Sequence, residues 1–326
     1  MKLNNRGRMR IVITGVSSFV GSHLAAFFSG RGHQVTGTIS KNIKEYDPLH
    51  RSRLAAAQAA GTVLKRLDIT DPEGAKRIVA AQRPEIWIHH AGYATDYGKA
   101  DYNIAEGERV NVLPLDALYA NISANECRGV IITGSSAEYS ASTSPCREGD
   151  PCFPDTPYGL SKLTETLCAR QLSLKFGIPT RVARLFIPYG AMDSANKVIP
   201  SVVASLKRGR PIDLSACGQK RDFTYIEDVV KGYSALMRDL ARKSLFDIFN
   251  ICSGQAVTLK KLLLYLAKQI KAEPSLLRFG AINMRSNEPR VSYGSIAKAQ
   301  AVLNWTPRSL DEGLRAYLDD TLKGLS

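Results

Sequence analysis

The chain has 326 residues, of which 44% are hydrophobic and 23% are charged, a composition that is typical of a soluble globular protein and excludes a disordered one. Its formal net charge is +14 at pH 7, but the 44 lysines and arginines form no basic run or aromatic-interleaved patch, which disfavours nucleic-acid binding. No apolar run approaches the roughly 20 residues that a membrane-spanning helix needs.

The first residues and the cysteines indicate a compartment. Residues 1–8 are basic and polar and lead straight into a strand-like run, so we expect a disordered extension rather than a signal peptide. The six cysteines lack CxxC spacing, and the five histidines form no cluster with them. This pattern predicts reduced thiols, a cytoplasmic location and no metal site.

From Arg10 to about Phe186, short β-branched runs alternate with helical patterns. The runs cover 11–14, 34–39, 63–64, 86–89, 130–133 and 180–186. Buried strands separated by helices predict an α/β fold with a Rossmann-type, doubly wound parallel sheet. After Gly190 the alternation becomes irregular, which predicts a smaller C-terminal α/β substrate-binding lobe. We therefore expect a Rossmann domain at 9–190 and the lobe mainly at 191–326, with a segment near 222–250 returning to the sheet.

The crossover helices should show one apolar face. Residues 20–29 have apolar side chains at 20, 24, 27 and 28, and residues 158–176 have leucines at 160, 163, 167 and 174. This spacing predicts two amphipathic helices.

A glycine-bearing segment, Thr14 to Gly21, directly follows the first strand and opens the first helix. Glycines there permit a tight turn, and the helix N-terminus can face the pyrophosphate of a dinucleotide. Ser18 stands where a middle glycine is expected, so its hydroxyl is a candidate phosphate ligand. A turn without a ligand is the alternative. The predicted cofactor contacts in this segment are Gly15, Ser17, Ser18, Phe19, Val20 and Gly21.

The second strand ends at Ser40 and Lys41, with no acidic residue to bind the ribose hydroxyls of NAD. A serine followed by a lysine suits a 2′-phosphate, which favours NADP(H) over NAD(H), although Lys41 could equally be an exposed loop lysine. Asp68 and Ile69 follow the third strand and are expected at the adenine. The fourth strand ends with His90, Ala91 and Gly92, where small residues leave room for the cofactor.

Tyr158 and Lys162 are one helical turn apart and share a helix face. A lysine charge beside a phenol stabilises the phenolate, which predicts a lowered tyrosine pKa and a proton-transfer role. Because tyrosine and lysine are common, an ordinary surface helix is the alternative.

With these motifs together, the chain resembles the extended short-chain dehydrogenases/reductases, the NAD(P)-dependent nucleotide-sugar epimerase/dehydratase family. The resemblance covers nearly the whole sequence. It rests on residues 14–21, 89–92, Asn111, Ser135, Tyr158, Lys162, 221–228, 250–254 and 304–307.

The resemblance implies roles for individual residues. Tyr158 would be the acid/base, Lys162 would bind the nicotinamide ribose, and Ser135 would hydrogen-bond the reacting oxygen. Asn111 would be a buried structural amide. On the substrate side the implied positions are Ser136, Ile187, Arg221 and Arg285, with the two arginines binding the nucleotide diphosphate. Each arginine could instead be a surface residue. A homodimer that pairs through helices of the sheet domain is also implied.

Three departures from the family pattern narrow the chemistry. Dehydratases of the family carry acidic residues just after the catalytic hydroxyl, where this chain has Ser136 and Ala137. Glu138 follows one position later, and strand alternation should turn it to the side opposite Ala137. Ile187 replaces an asparagine that contacts substrate. The missing acid after the second strand argues against epimerases that retain NAD.

These observations favour an NADP(H)-linked reductase of a nucleotide-diphosphate sugar, acting on a 4-keto group. A nucleotide-sugar epimerase with a tightly bound cofactor is the close alternative. A non-catalytic nucleotide-sensing or nucleic-acid-binding protein, and a reductase of small aldehydes or ketones, are less consistent with the motifs.

Overall fold

A computed structural model describes residues 7–125, 127–284 and 289–323. Most of the expected N-terminal extension, residues 1–6, lies outside the described residues. The strands are β1 (Arg10–Ile13), β2 (Gln34–Ile39), β3 (Val63–Arg66), β4 (Ile86–His89), β5 (Gly129–Ser135), β6 (Thr180–Leu185), β7 (Ile187–Tyr189), β8 (Ile212–Leu214), β9 (Lys220–Arg221), β10 (Phe223–Tyr225), β11 (Phe246–Ile251), β12 (Val257–Thr258), β13 (Leu277–Phe279) and β14 (Val291–Ser292).

The helices flank these strands and begin at recognisable caps. They are α1 (Phe19–Gly30), α2 (Pro48–Ala59), α3 (Pro72–Gln82), α4 (Ile104–Gly107), α5 (Pro114–Ser123), α6 (Pro157–Phe176), α7 (Val198–Lys207), α8 (Ile226–Asp239), α9 (Leu259–Ile270), α10 (Ala297–Leu303) and α11 (Leu310–Lys323). Ser18 and Thr156 cap α1 and α6 by accepting a hydrogen bond from a backbone N–H of the first turn. In the described residues, no helix is long and apolar enough to cross a membrane.

Seven strands form one parallel sheet in the order β11-β6-β5-β4-β1-β2-β3. The predicted doubly wound α/β fold is confirmed, and every strand-like run from 11 to 186 lies in this sheet. The strand order reverses between β1 and β4, which are hydrogen-bonded neighbours. Open α/β sheets bind ligands in the crevice at such a switch point, outside the carboxyl ends of the strands.

Alternate residues of each central strand are buried on opposite faces of the sheet. In β1, Ile11 and Ile13 join the apolar core that includes residues of α1, α2 and α8, whereas Val12 joins the core that includes residues of α3, α5 and α6. A sheet covered on both faces needs nearly continuous apolar strands, which is why these runs lack polar alternation.

Helix α6 does not follow the predicted apolar face. Leu160, Leu167 and Leu174 are 45%, 54% and 49% exposed. The buried face instead carries polar residues, including Ser161, Lys162, Glu165 and Thr166. The amphipathic prediction is therefore wrong in orientation, because this helix buries a polar face and leaves Leu160, Leu167 and Leu174 exposed.

The part of the chain after Gly190 adds short strand pairs and helices α7, α9, α10 and α11, while α8 and β11 belong to the large sheet and its cover. Asp222, fully buried, accepts hydrogen bonds from Ser253, Gly254 and Gly294 and so joins three separate segments. Burial raises the pKa of Asp222, although the hydrogen bonds from Ser253 act in the opposite direction. The segment 221–228 thus contributes a structural centre behind the site.

Candidate active site

The turn between β1 and α1 is closed by contacts that leave no space for side chains. Gly15 has φ +72°, and a Cβ there would lie 2.9 Å from the Cα of Ala91. A Cβ on Gly21 would lie 2.4 Å from the carbonyl oxygen of Gly15. The turn and the end of β4 therefore meet at the switch point, and the backbone N–H groups at the start of α1 open onto it. This cradle fits a dinucleotide pyrophosphate.

Ser18 has more than one partner in this turn. Its Oγ accepts a hydrogen bond from the Gly21 N–H at 3.1 Å and lies 2.9 Å from Nε2 of His90. His90 Nδ1 lies 3.0 Å from Oγ1 of Thr133, which is 2.7 Å from the hydroxyl of Tyr233. Burial, followed by the charge of Lys162, lowers the pKa of His90 to about 4, so the imidazole is neutral at pH 7. A neutral imidazole here can fix the Ser18 hydroxyl.

The remaining predicted cofactor residues follow the carboxyl ends of the strands on this side of the sheet. Phe19, Val20 and Gly21 are buried at the start of α1, and Ser17 precedes them. Ser40 and Lys41 follow β2 and are exposed, with the Tyr46 hydroxyl 3.4 Å from Ser40 Oγ and 3.3 Å from the Lys41 nitrogen.

After β3, the exposed Asp68 accepts two hydrogen bonds from Thr70, and Ile69 lies between them. Gly92 follows β4, where a Cβ would lie 2.9 Å from Oδ1 of Asn111. No side chain other than hydrogen fits at this end of the strand without a shift of Asn111.

Ser135, Tyr158 and Lys162 come together where β5 ends and α6 begins. Ser135 is in extended conformation, and its Oγ accepts a hydrogen bond from the Ala137 N–H at 3.1 Å. Lys162 and Ser135 both lower the pKa of Tyr158, which is consistent with their lying close to its hydroxyl. The ring of Tyr158 packs against Tyr97 and Tyr102, with centroids 5.7 Å away in each case. A phenol held between a hydroxyl and an ammonium group can transfer a proton.

Lys162 lowers the pKa of Tyr158 as predicted, but the net shift is upward. Burial raises the pKa of Tyr158 above its ordinary value, and the opposing influence of Lys162 and Ser135 does not reverse it. The sequence analysis considered only Tyr158 and Lys162 on this helix face and did not include a third charged group. Glu165, one turn further along α6, forms a buried ion pair with Lys162.

Asn111 is fully buried, as the resemblance implies for a structural amide. Its Oδ1 accepts a hydrogen bond from Tyr93 N–H at 2.7 Å, and its Nδ2 donates to Ser161 Oγ at 3.0 Å. It thus ties the segment after β4 to the helix of Tyr158.

Comparisons with known proteins identify the family of this chain. Residues 11–252 match the NAD dependent epimerase/dehydratase family. The chain belongs to this family. The match covers most of the sequence, and the glycine turn, Ser135, Tyr158 and Lys162 all lie within it.

Two curated reductases show the range of similarity. The dTDP-4-dehydro-6-deoxyglucose reductase of Escherichia coli is 30% identical over 210 residues, which are 63% of this chain and 65% of the reductase. The GDP-6-deoxy-D-mannose reductase of Pseudomonas aeruginosa is 28% identical and aligns over 95% of this chain and 96% of its own length. UDP-sugar epimerases are also among the relatives.

The fold is shared with a solved epimerase. The UDP-glucuronic acid 4-epimerase of Bacillus cereus, in complex with UDP-glucuronic acid and NAD, superposes with a TM-score of 0.81 at 22% identity and covers 98% of this chain and 100% of that chain. This likeness shows the extended short-chain dehydrogenase/reductase fold.

The dehydratase positions of the family hold no carboxylate here. Ser136 and Ala137 are half-buried in a 3₁₀ turn that also contains Glu138. Glu138 is fully buried and accepts hydrogen bonds from Ser135 N–H, Thr166 and Arg184. Because Glu138 lies in a 3₁₀ turn rather than in the strand, the strand alternation that we expected does not decide its direction.

The predicted substrate residues lie in the later part of the chain. Ile187 is half-buried in β7, beside β10. Arg221 is buried in β9 and donates a hydrogen bond to the carbonyl oxygen of Lys220. Arg285 lies outside the described residues.

Four residues at the site had no assigned role in the sequence. Tyr97 and Tyr102 come from the segment between β4 and α4 and pack on Tyr158. Arg53 of α2 is buried, donates to the carbonyl of Met192 and reaches the carbonyl of Ser17 at 3.4 Å. Glu165 was overlooked although its spacing from Lys162 places both on one face of α6. For Tyr97 and Tyr102, the available signal was their closeness in the sequence to residues 89–92.

Proposed function

We propose that this protein is an NADP(H)-linked reductase that acts on the 4-keto group of a nucleotide-diphosphate sugar. The observation that carries the proposal is the assembly of Ser135, Tyr158 and Lys162 beside the glycine turn, at the crevice where the strand order reverses. The influence of Lys162 on the His90 pKa supports a position of Lys162 close to the end of β4.

Each side chain has a role in this reaction. A bound nicotinamide in its reduced form supplies the hydride for the carbonyl carbon. Tyr158 donates its phenolic proton to the carbonyl oxygen, and Ser135 polarises that oxygen by hydrogen bonding. Lys162 contributes the positive charge that stabilises the phenolate left after proton transfer.

The absence of carboxylates at Ser136 and Ala137 favours reduction over dehydration, because elimination of water requires an acid and a base near the sugar. Two of the relatives are named dTDP-4-dehydro-6-deoxyglucose reductase and GDP-6-deoxy-D-mannose reductase, which supports a reductase. An epimerase is the second candidate, favoured by the structural likeness to the UDP-glucuronic acid 4-epimerase.

The cofactor proposal rests on the end of β2. Ser40 and Lys41 are exposed there, the strand does not end in an acidic residue, and Arg66 of β3 is in register with Ile39, one residue before Ser40. Basic groups beside a serine suit a 2′-phosphate. The solved epimerase contains NAD, so NADPH and NADH must be compared directly.

On the substrate side, we place the diphosphate at Arg221 and Arg285, and the sugar near Ser136 and Ile187. A guanidinium fork matches phosphate geometry. Ile187 presents an apolar surface where an asparagine would offer a hydrogen bond, which favours a deoxy sugar at that position.

The test combines ligand binding and turnover. A thermal-shift screen with NADPH, NADH and UDP, GDP, CDP and dTDP sugars identifies the ligands, since those that bind the folded state raise its melting temperature. The stabilising nucleotide, supplied as its 4-keto sugar, should then oxidise NADPH in equal molar amount. Turnover of a nucleotide sugar without added cofactor would instead show an epimerase.

Tyr158→Phe should lower kcat by at least about 100-fold, because it removes the proton donor and keeps the ring packing. Melting temperature and NADPH binding serve as controls that the variant is folded. A Tyr158→Phe variant with wild-type turnover would contradict the proposed mechanism.

We also propose a homodimer formed through α6. Its outward leucines at 160, 167 and 174 recur every seven residues, and Leu113 at the start of the neighbouring α5 is 69% exposed. Pairing with the same surface of a second copy would remove this apolar area from water.

A further inference from the structure

Glu165 and Lys162 form a closed ion pair on the buried face of α6. The exposed fractions of their side chains are 2% and 9%. A buried ion pair gains no stability unless its attraction exceeds the cost of removing two charges from water. Lys162 lies one helical turn from Tyr158 and Glu165 lies two turns away, which raises the question of what the Glu165 carboxylate does for the site.

The surrounding groups do not replace this carboxylate as the partner of Lys162. Glu138, the other acid nearby, is held by Arg184 and Thr166. Other titratable groups in the described residues interact electrostatically with Tyr158, Lys162 or Glu165. They are His89 and His90 of β4, Tyr102 before α4, Tyr119 of α5, Glu138 after β5, Cys168 of α6 and Tyr233 of α8. Both histidines are neutral at pH 7, and Glu165 is the acid in direct contact with Lys162.

We propose that Glu165 is a positioning residue that offsets the charge of Lys162 and keeps the Tyr158 hydroxyl protonated, so that the free site is a proton donor. This inference rests on the proposed reductase function, in which the first task of Tyr158 is to give a proton. An isolated lysine charge would favour the phenolate, which is a base and suits the oxidation of an alcohol.

The charges act in the required directions. Burial raises the pKa of Tyr158, Lys162 lowers it and Glu165 raises it. Burial lowers the pKa of Lys162, but Glu165 and Tyr158 outweigh burial and the pKa is raised, so the ammonium stays charged. Burial raises the pKa of Glu165 to about 7 in spite of Lys162, so the carboxylate is charged above that pH.

The proton balance of reduction is closed. Hydride from the reduced nicotinamide forms the new C–H bond, and the O–H bond of Tyr158 breaks as the product hydroxyl forms. The phenolate then lies beside Lys162, and water returns a proton to it. Glu165 changes how readily Tyr158 loses its proton, without contacting substrate.

The test is a tyrosinate titration of the full-length protein without substrate. The ultraviolet absorbance of Tyr158 is isolated by subtracting the titration of Tyr158→Phe from that of the wild type. The same subtraction is made for Glu165→Gln and the double variant Glu165→Gln/Tyr158→Phe. We expect the Tyr158 midpoint to fall by about one pH unit in Glu165→Gln, because one negative charge beside the lysine is lost.

A midpoint that is unchanged or higher in folded Glu165→Gln would overturn the proposal, including the case in which Lys162 loses its proton instead. Asp116→Asn is the matched control. Asp116 of α5 forms an exposed ion pair with Lys175 of α6 at 2.8 Å. It should leave the Tyr158 midpoint in place.

If Glu165→Gln does not fold, Glu165→Asp carries the test. It keeps a carboxylate that is one methylene shorter, and its midpoint should lie below that of the wild type. An unchanged midpoint there would also overturn the proposal. The titration needs neither substrate nor cofactor, so its failure is distinct from retained turnover in Tyr158→Phe, which would contradict the proposed function itself.

Discussion

Single glycines determine whether the turn before α1 can close. A Cβ at Gly21 would lie 2.4 Å from the backbone oxygen of Gly15 and 2.8 Å from Ser18 Oγ. The backbone oxygen cannot rotate away as a flexible side chain can. The spacing of Gly15 and Gly21 in the sequence therefore already indicated a close contact, even though the sequence did not identify its partner atom.

We predict that Gly21→Ala destabilises the protein by about 1–3 kcal/mol, because the added methyl group must displace the turn. The measurement is urea unfolding, together with the melting-temperature increase caused by NADPH, which should shrink. Gly30→Ala is the matched control at the other end of α1, where a Cβ would meet no atom within 4 Å. Equal stability of Gly21→Ala and the wild type would show that the turn is looser than described.

At the scale of an element, α6 explains why helical periodicity was misleading. Three of its four predicted core leucines are exposed, and its buried face carries Lys162, Glu165 and Thr166. Buried charged and polar groups are tolerated there because they have partners, as Lys162 does in Glu165 and Thr166 in Glu138. Hydrophobic pattern alone cannot distinguish a face that meets the core from one that meets another subunit.

We predict that Leu167→Glu converts the proposed dimer to a monomer, because it places a charge in the middle of the exposed leucine row. Light scattering after size-exclusion chromatography measures the mass. Leu264→Glu, at a 39% exposed leucine of α9, should remain dimeric. A monomeric wild type, or a Leu167→Glu variant that stays dimeric, would rule out this interface.

At the scale of the whole molecule, a buried histidine links folding to pH. His89 lies in β4 with 2% exposure, and burial, with the charges of Lys162 and His90, lowers its pKa from 6.5 to about 3. The unfolded chain binds a proton near pH 6.5 and the folded chain does not. The stabilising contribution is therefore complete above pH 6.5 and is lost as the pH falls toward 3.

By about pH 5 the loss of unfolding free energy from His89 should reach roughly 2 kcal/mol. Urea unfolding between pH 7 and 5 measures it, and His89→Leu should show a shallower decline over that range. If both proteins lose the same free energy, His89 takes up no proton on unfolding in this range.

The amino-acid sequence alone predicted the alternation of strands and helices, the turn at Gly15 and Gly21, and the shared helix face of Tyr158 and Lys162, while the family resemblance added Ser135 to this pair. These features depend on neighbours within a few residues or on the carboxyl ends of parallel strands, which share one edge of a sheet. The three-dimensional packing was needed to show that Glu165 pairs with Lys162, that His90 bonds Ser18, and that Leu160, Leu167 and Leu174 face outward. The direction of the Tyr158 pKa shift also belongs to this second group. Burial and long-range charge depend on what packs against a helix from distant segments, and local sequence pattern carries no record of that packing.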